Sequence, residues 1–123
     1  MKEYIKKLKV LGDETRVRIL RLLASVDWLY VCEIVETLEL PFYSISRHLK
    51  ELENANLIEQ KREGKFIRYF LNKNESFNSK IIDLLTSIKS NSFDVDDERL
   101  KKVVANRDSL NCKLSSKDKK ERV

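Results

Sequence analysis

Side chains suited to gripping phosphate and reading flat hydrogen-bonding edges crowd the middle of this chain. Tyr43, Ser44, Ser46, Arg47, His48 and Lys50 fall within one short segment, and Lys61, Arg62, Lys65 and Arg68 follow soon after. Arginine offers a planar pair of N–H groups that matches guanine, while hydroxyl and ammonium groups reach other base edges or phosphates. This inventory suits duplex DNA and requires no covalent step. Taken alone, Arg47 and Lys50 equally fit an ordinary solvated helix face. The basic hairpin that follows them tips the reading towards contact with a nucleic-acid backbone.

The other reactive groups are few. His48 is the single histidine, which excludes a metal site built on several imidazoles of one chain. Its place on the border of a helix face reads as a packed or phosphate-contacting side chain. Cys32 and Cys112 are the two cysteines, far apart in sequence. Cys32 lies near the start of a helix, where unpaired N–H groups and the dipole lower a thiol pKa, so it reads either as a reactive thiol or as a small buried residue. A reducing compartment disfavours a structural disulfide and leaves a thiol sensor open. No nucleophile–base pair, phosphate loop or carboxylate pair stands out, so the chain is expected not to be an enzyme. With no apolar run long enough for a signal sequence or a membrane span, a cytoplasmic location without membrane partners is expected.

The elements that must position these residues follow from patterning. Tyr4, Ile5, Leu8 and Leu11 are at helical spacing up to Gly12, and Asp13 is placed to cap a second helix with Val17, Leu20 and Leu23 or Ala24 as its apolar stripe. Val31 to Leu38 predicts a short helix, and Pro41 suits the opening of the next because it lacks an N–H that would go unpaired. In that next helix Phe42, Ile45, Leu49 and Leu52 share one face, and Tyr43, Arg47, Lys50 and Asn54 the other, with Ser44 beside them. Two strands, 57–62 and 66–71, flank Gly64, which supplies the positive φ of a tight hairpin. Helix, turn, helix and basic hairpin predict an α+β, mainly helical fold: a winged helix-turn-helix with a two-stranded β-hairpin wing.

Phe77, Ile81, Leu84 and Ile88 recur at near-heptad spacing, widened by Ile82 and Leu85, a stripe broad enough to need a partner chain. Residues 1–91 are expected to form the DNA-binding and dimerisation domain, and residues 92–123 an extension, helical from Asp94 to Leu110 and disordered from Leu114. The 123 residues suit one domain, and the formal net charge of +5 favours an anionic partner. That excess sits on residues 41–73, the reading helix with its hairpin, and on the tail.

Leu11-Gly12-Asp13-Glu14-Thr15-Arg16-Val17-Arg18-Ile19-Leu20, Ile45-Ser46-Arg47-His48-Leu49-Lys50-Glu51-Leu52, Asn56-Leu57-Ile58 and Arg62-Glu63-Gly64-Lys65 together resemble the ArsR/SmtB family of winged-helix repressors. The resemblance implies a homodimer formed by the first and last helices of the domain, a palindromic double-stranded DNA operator, and an inducer that releases it. In the arsenic-sensing branch the helix before the turn carries Cys-Val-Cys, and here the matching stretch is Tyr30-Val31-Cys32. The tail is similar to the extension of some members, so the resemblance implies Cys32 with Cys112 as a ligand pair for a soft metal or metalloid such as arsenite or cadmium. Oxidation or persulfidation of these thiols is the second expectation, and no thiol sensing the third. Where many members have a polar DNA-reading residue this chain has Phe42. The alternative from another class is a winged-helix module using the same basic face for a protein partner, without inducer sensing.

Overall fold

Two helix starts follow directly from local chemistry. The Asp13 carboxylate accepts from the backbone N–H of Arg16 and opens helix α2, Glu14–Ser25. Pro41 precedes helix α4, Phe42–Asn54, and the turn before it is closed by Glu39 in the left-handed region at φ 54°. The computed structural model describes residues 1–107, to which the following statements are confined. The remaining elements are α1, Lys2–Val10; β1, Leu29–Tyr30; α3, Val31–Leu38; β2, Ile58–Glu63; β3, Phe66–Leu71; α5, Ser76–Thr86; and α6, Asn91–Ala105. Gly64, at φ 61°, turns β2 into β3 as the hairpin requires.

The core is where the apolar faces of α2, α3 and α4 meet. Ile19, Leu20, Leu22 and Leu23 of α2, Ile34 of α3, and Ile45, Leu49 and Leu52 of α4 are all essentially inaccessible to solvent. Helix α2 is thus apolar on more of its circumference than a single stripe, because α5 and α6 also pack against it. The hairpin gains a strand that the sequence reading lacks: β1 pairs antiparallel with β3, giving the order β1-β3-β2 with Tyr30 opposite Arg68. Two residues are too few for an alternating pattern to register. Leu71 is buried and Tyr69 packs beside the core, where burial, aided by the Glu53 charge, raises the phenol pKa above its ordinary 10.0.

Helix α1 turns the apolar stripe of its sequence outward. Tyr4, Ile5 and Leu8 are exposed, whereas Val10 and, unexpectedly, Lys7 are buried. Burying an ammonium is tolerable only with partners. Lys7 Nζ donates to Glu75 Oε1 at 2.9 Å and to Asn78 Oδ1 at 2.8 Å, and it lies 5.5 Å from the Phe77 ring centre. Asn78, itself buried, donates to the carbonyls of Asn56 and Asn72, so one polar network ties α1, α5 and both ends of the hairpin together.

Helix α6, within the segment read as an extension, lies against α2 and α3 with Phe93 and Leu100 buried. Ion pairs fasten it. Arg18 donates twice to Asp96, both bonds at 2.8 Å, and the bond to this carboxylate raises the arginine pKa against the opposing effect of burial. Arg21 stacks 4.1 Å from the Phe93 ring, and Arg99 reaches Glu39 in the helix-turn-helix turn at 3.1 Å. The expected disordered end from Leu114 lies outside the described residues.

Candidate nucleic-acid interface

Helix α4 presents the two faces that its sequence predicts. Ile45, Leu49 and Leu52 point into the core, and Tyr43, Ser46, Arg47, Lys50 and Asn54 are exposed. Tyr43 is 70% accessible, with its ring open to solvent. The Arg47 guanidinium lies 5.6 Å from that ring, and among the described residues it has no carboxylate partner. Ser44 is half-buried, and Phe42 turns inward against the core, so the contacts left to this helix end belong to Tyr43 and Ser44.

His48 is half-buried, and its position is set by a residue distant in sequence. Arg16 Nε donates to His48 Nδ1 at 3.1 Å, while Arg16 Nη1 reaches the Val10 carbonyl at 3.4 Å. With Arg16, Tyr43, Ser44, Arg47 and Glu51 it lines a cleft of about 230 Å³ on the outer face of α4. Sequence reading placed Arg16 only within a helix; no local signal foretells its meeting with His48, because that contact spans thirty-two positions.

On the wing, Lys61, Arg62 and Lys65 are exposed, as a backbone-following strand and turn require. Arg68, also expected at DNA, has partners within the protein. Its Nη2 donates to Glu63 at 3.0 Å, its Nε lies 2.8 Å from the other Glu63 oxygen out of line for a hydrogen bond, and its guanidinium stacks 3.9 Å from the Trp28 ring. Alternation along β3 accounts for this, since Phe66 and Arg68 face the aromatic group of Trp28 and Tyr30. An arginine so engaged is a strut of the wing.

Cys32 also departs from expectation. It is 1% accessible and held in a disulfide, where a reduced thiol was expected, so in this state it has no thiolate for a metal. Cys112 lies outside the described residues, and so does any Cys32–Cys112 ligand pair as a geometry. Among the described residues no cluster of three or more metal-ligating side chains is present. Beside Cys32, Glu33 is fully buried, accepting from the Tyr30 N–H at 2.9 Å and from Arg107 at 2.8 and 3.1 Å. Arg107 also stacks 3.9 Å from Trp28. Tyr30, which stands where the arsenic-sensing pattern has its first cysteine, belongs to this aromatic group.

No described helix is long and apolar enough to cross a membrane. The family described as "Bacterial regulatory protein, arsR family" matches residues 13–60, which run from the cap of α2 into β2. The Arsenical resistance operon repressor of Escherichia coli is 31% identical over 115 residues, covering 93% of this chain and 92% of that protein. The Cadmium resistance transcriptional regulatory protein CadC of Listeria innocua is 31% identical over 77 residues, 63% of this chain and 60% of that one. Among solved structures, reduced HlyU from Vibrio cholerae aligns with a TM-score of 0.62 at 28% identity over 70% of this chain and 87% of that one. A homodimeric winged helix-turn-helix DNA-binding domain from Mycobacterium bovis shares the fold, with a TM-score of 0.62 at 23% identity, covering 70% of this chain and 77% of that one. The match over nearly the whole Escherichia coli repressor, the family pattern across α2 to β2 and the outward basic face of α4 agree, and this chain belongs to the arsR family of bacterial regulatory proteins, with its DNA-binding winged helix-turn-helix.

Proposed function

We propose that the protein is a homodimeric repressor whose paired α4 helices read a palindromic operator and that thiol chemistry at Cys32 makes it let go. The observation that carries the DNA reading is the outward face of α4, where Tyr43, Ser46, Arg47 and Lys50 stand exposed beside the basic wing. Two such helices related by a dyad enter successive major grooves about 34 Å apart. Arg47→Ala should weaken operator binding by roughly 1–3 kcal/mol and relax preference at one position per half-site, measured by mobility shift against single-base variants. An equal loss on every sequence would make Arg47 a phosphate contact instead.

Support for the dimer comes from apolar surface left open. Tyr4, Ile5 and Leu8 on α1 and Leu84 on α5 are 40–60% accessible, and the Tyr4 and Phe77 rings meet 5.0 Å apart, which joins the two helices into one face. Leu84→Glu should place a carboxylate in that contact and give a monomer by sedimentation, with DNA affinity reduced roughly 100-fold or more through lost bivalency. A variant that stays dimeric sinks this assignment.

For the trigger, the disulfide at Cys32 favours oxidation, and the arsenical and cadmium resistance regulators among the relatives favour a soft metal or metalloid bound by the reduced thiol. Cys32→Ser separates both from a thiol-independent inducer: the variant should keep its DNA when oxidant, arsenite or cadmium is added, and release by any of them removes Cys32 from that route.

A further inference from the structure

We propose that the cleft formed by Arg16, Tyr43, Ser44, Arg47, His48 and Glu51 seats one DNA backbone phosphate per half-site, with Arg16 of α2 as a phosphate ligand. The proposal rests on the DNA-binding reading and deepens it: α4 alone does not hold the phosphate, and the second helix inward supplies half of the grip.

The three arginines of α2 are treated differently by the fold. Arg18 is bidentate on Asp96, and Arg21 is stacked on Phe93 with Asp97 3.8 Å away. Arg16 has only neutral partners, the His48 imidazole and the Val10 carbonyl, and among the described residues no carboxylate lies within ion-pair reach of it. A half-buried guanidinium without a counterion is electrostatically unfinished. Among the described residues Arg47 likewise has no carboxylate ion-pair partner, so two guanidinium groups line one small concavity against the single carboxylate of Glu51. The cleft is therefore net cationic.

The hydrogen bond from Arg16 also settles the donor pattern of the imidazole. Because Nδ1 accepts, a neutral His48 carries its proton on Nε2 and presents an N–H. That N–H, the unused Arg16 N–H groups and the Ser44 hydroxyl make a set of donors around about 230 Å³, room for a phosphodiester and ordered water, with the base-reading Arg47 at its edge. The location is right as well. The cleft opens on the outer face of α4 beside Tyr43 and Arg47, where a helix seated in the major groove meets the flanking strand.

The test uses the full chain and its operator. In salt titrations Arg16→Gln should flatten the log–log slope by about 1.8, roughly 0.9 for each of the two half-sites, and lose affinity equally on operator and scrambled duplex, while Arg16→Lys keeps the slope. An unchanged slope in Arg16→Gln overturns the proposal while leaving the DNA reading intact, and a wild-type protein that binds no duplex overturns both. Should Arg16→Gln fail to fold by circular dichroism, methylphosphonate scanning of wild type decides. One neutralised phosphate per half-site, next to the bases that respond to Arg47→Ala, should weaken binding, and absence of such a position overturns the assignment. His48 is the only histidine, so its ring resonances report the cleft without overlap. They should shift on adding duplex and stay put with inorganic phosphate at matched ionic strength; a shift with inorganic phosphate alone makes this a free-anion site and overturns the DNA assignment.

Discussion

Replacing Arg107 by Ala should destabilise the folded protein by about 3–5 kcal/mol, although the residue sits at the last described turn of the chain. The reason is the carboxylate it would leave behind. Glu33 is 0% accessible, and its two oxygens are satisfied by the Tyr30 N–H, by Arg107 Nε at 2.8 Å and by Arg107 Nη2 at 3.1 Å. Without the guanidinium, a buried charge keeps one backbone donor. The same substitution removes the stack on Trp28 and the bond to the Trp28 carbonyl, both of which hold the end of α6 against the start of α3. Urea denaturation with a double-mutant cycle measures this. Arg107→Ala with Glu33→Gln should recover part of the loss, since the unpaired charge is then gone. A single Arg107→Ala loss below about 1 kcal/mol contradicts the buried-pair account, because only solvent-exposed pairs are worth so little. The functional reach of this clamp follows from its place: Glu33 adjoins Cys32 in the helix that leads into the turn, so the chemistry proposed at Cys32 would act on an element already tied to α6.

The second large effect separates adjacent residues of one helix. Leu49→Ala should cost about 2–5 kcal/mol, because Leu49 is 0% accessible on the inner face of α4 between the Ile45 and Leu52 layers, and the cavity left behind cannot fully close. Lys50→Ala, one position on, should change stability by less than about 0.5 kcal/mol. Its effect belongs to DNA: a uniform loss on all duplexes and a salt slope flatter by about 1.8, roughly 0.9 for each half-site. Thermal melts and salt titrations of the two variants check this in parallel. If Lys50→Ala melted like Leu49→Ala, the two-faced description of α4 would be wrong.

These two predictions also show how far the chain could be read in advance. Helix α3 runs from Val31 to Leu38 as its pattern predicts, and α4 divides into buried and exposed faces as its spacing predicts. Both are consequences of periodicity, a property of neighbours three and four apart. Periodicity reports that a face is apolar, yet not whether the chain's own core or another chain covers it. That is why Tyr4, Ile5 and Leu8 are correctly on one side of α1 while that side is the open one. It is equally silent on exceptions to hydrophobic burial: Lys7 is inside only because Glu75 and Asn78 arrive to meet it.

Local order was therefore determined by the sequence itself: the Asp13 cap, the left-handed turn at Gly64, the helix-turn-helix boundaries and the residues that α4 turns outward. Each rests on backbone sterics or on contacts within a few residues. Only the tertiary structure decided which charges are free. Arg68, expected at DNA, is stacked on Trp28; Arg18 is bound to Asp96; Arg107 is committed to Glu33; and Arg16, unremarked in its helix, stands beside His48 with no counterion among the described residues. A guanidinium is the same group in all four places. Whether it holds the fold together or meets a phosphate depends on the partner that folding places beside it, and that partner lies far away along the chain.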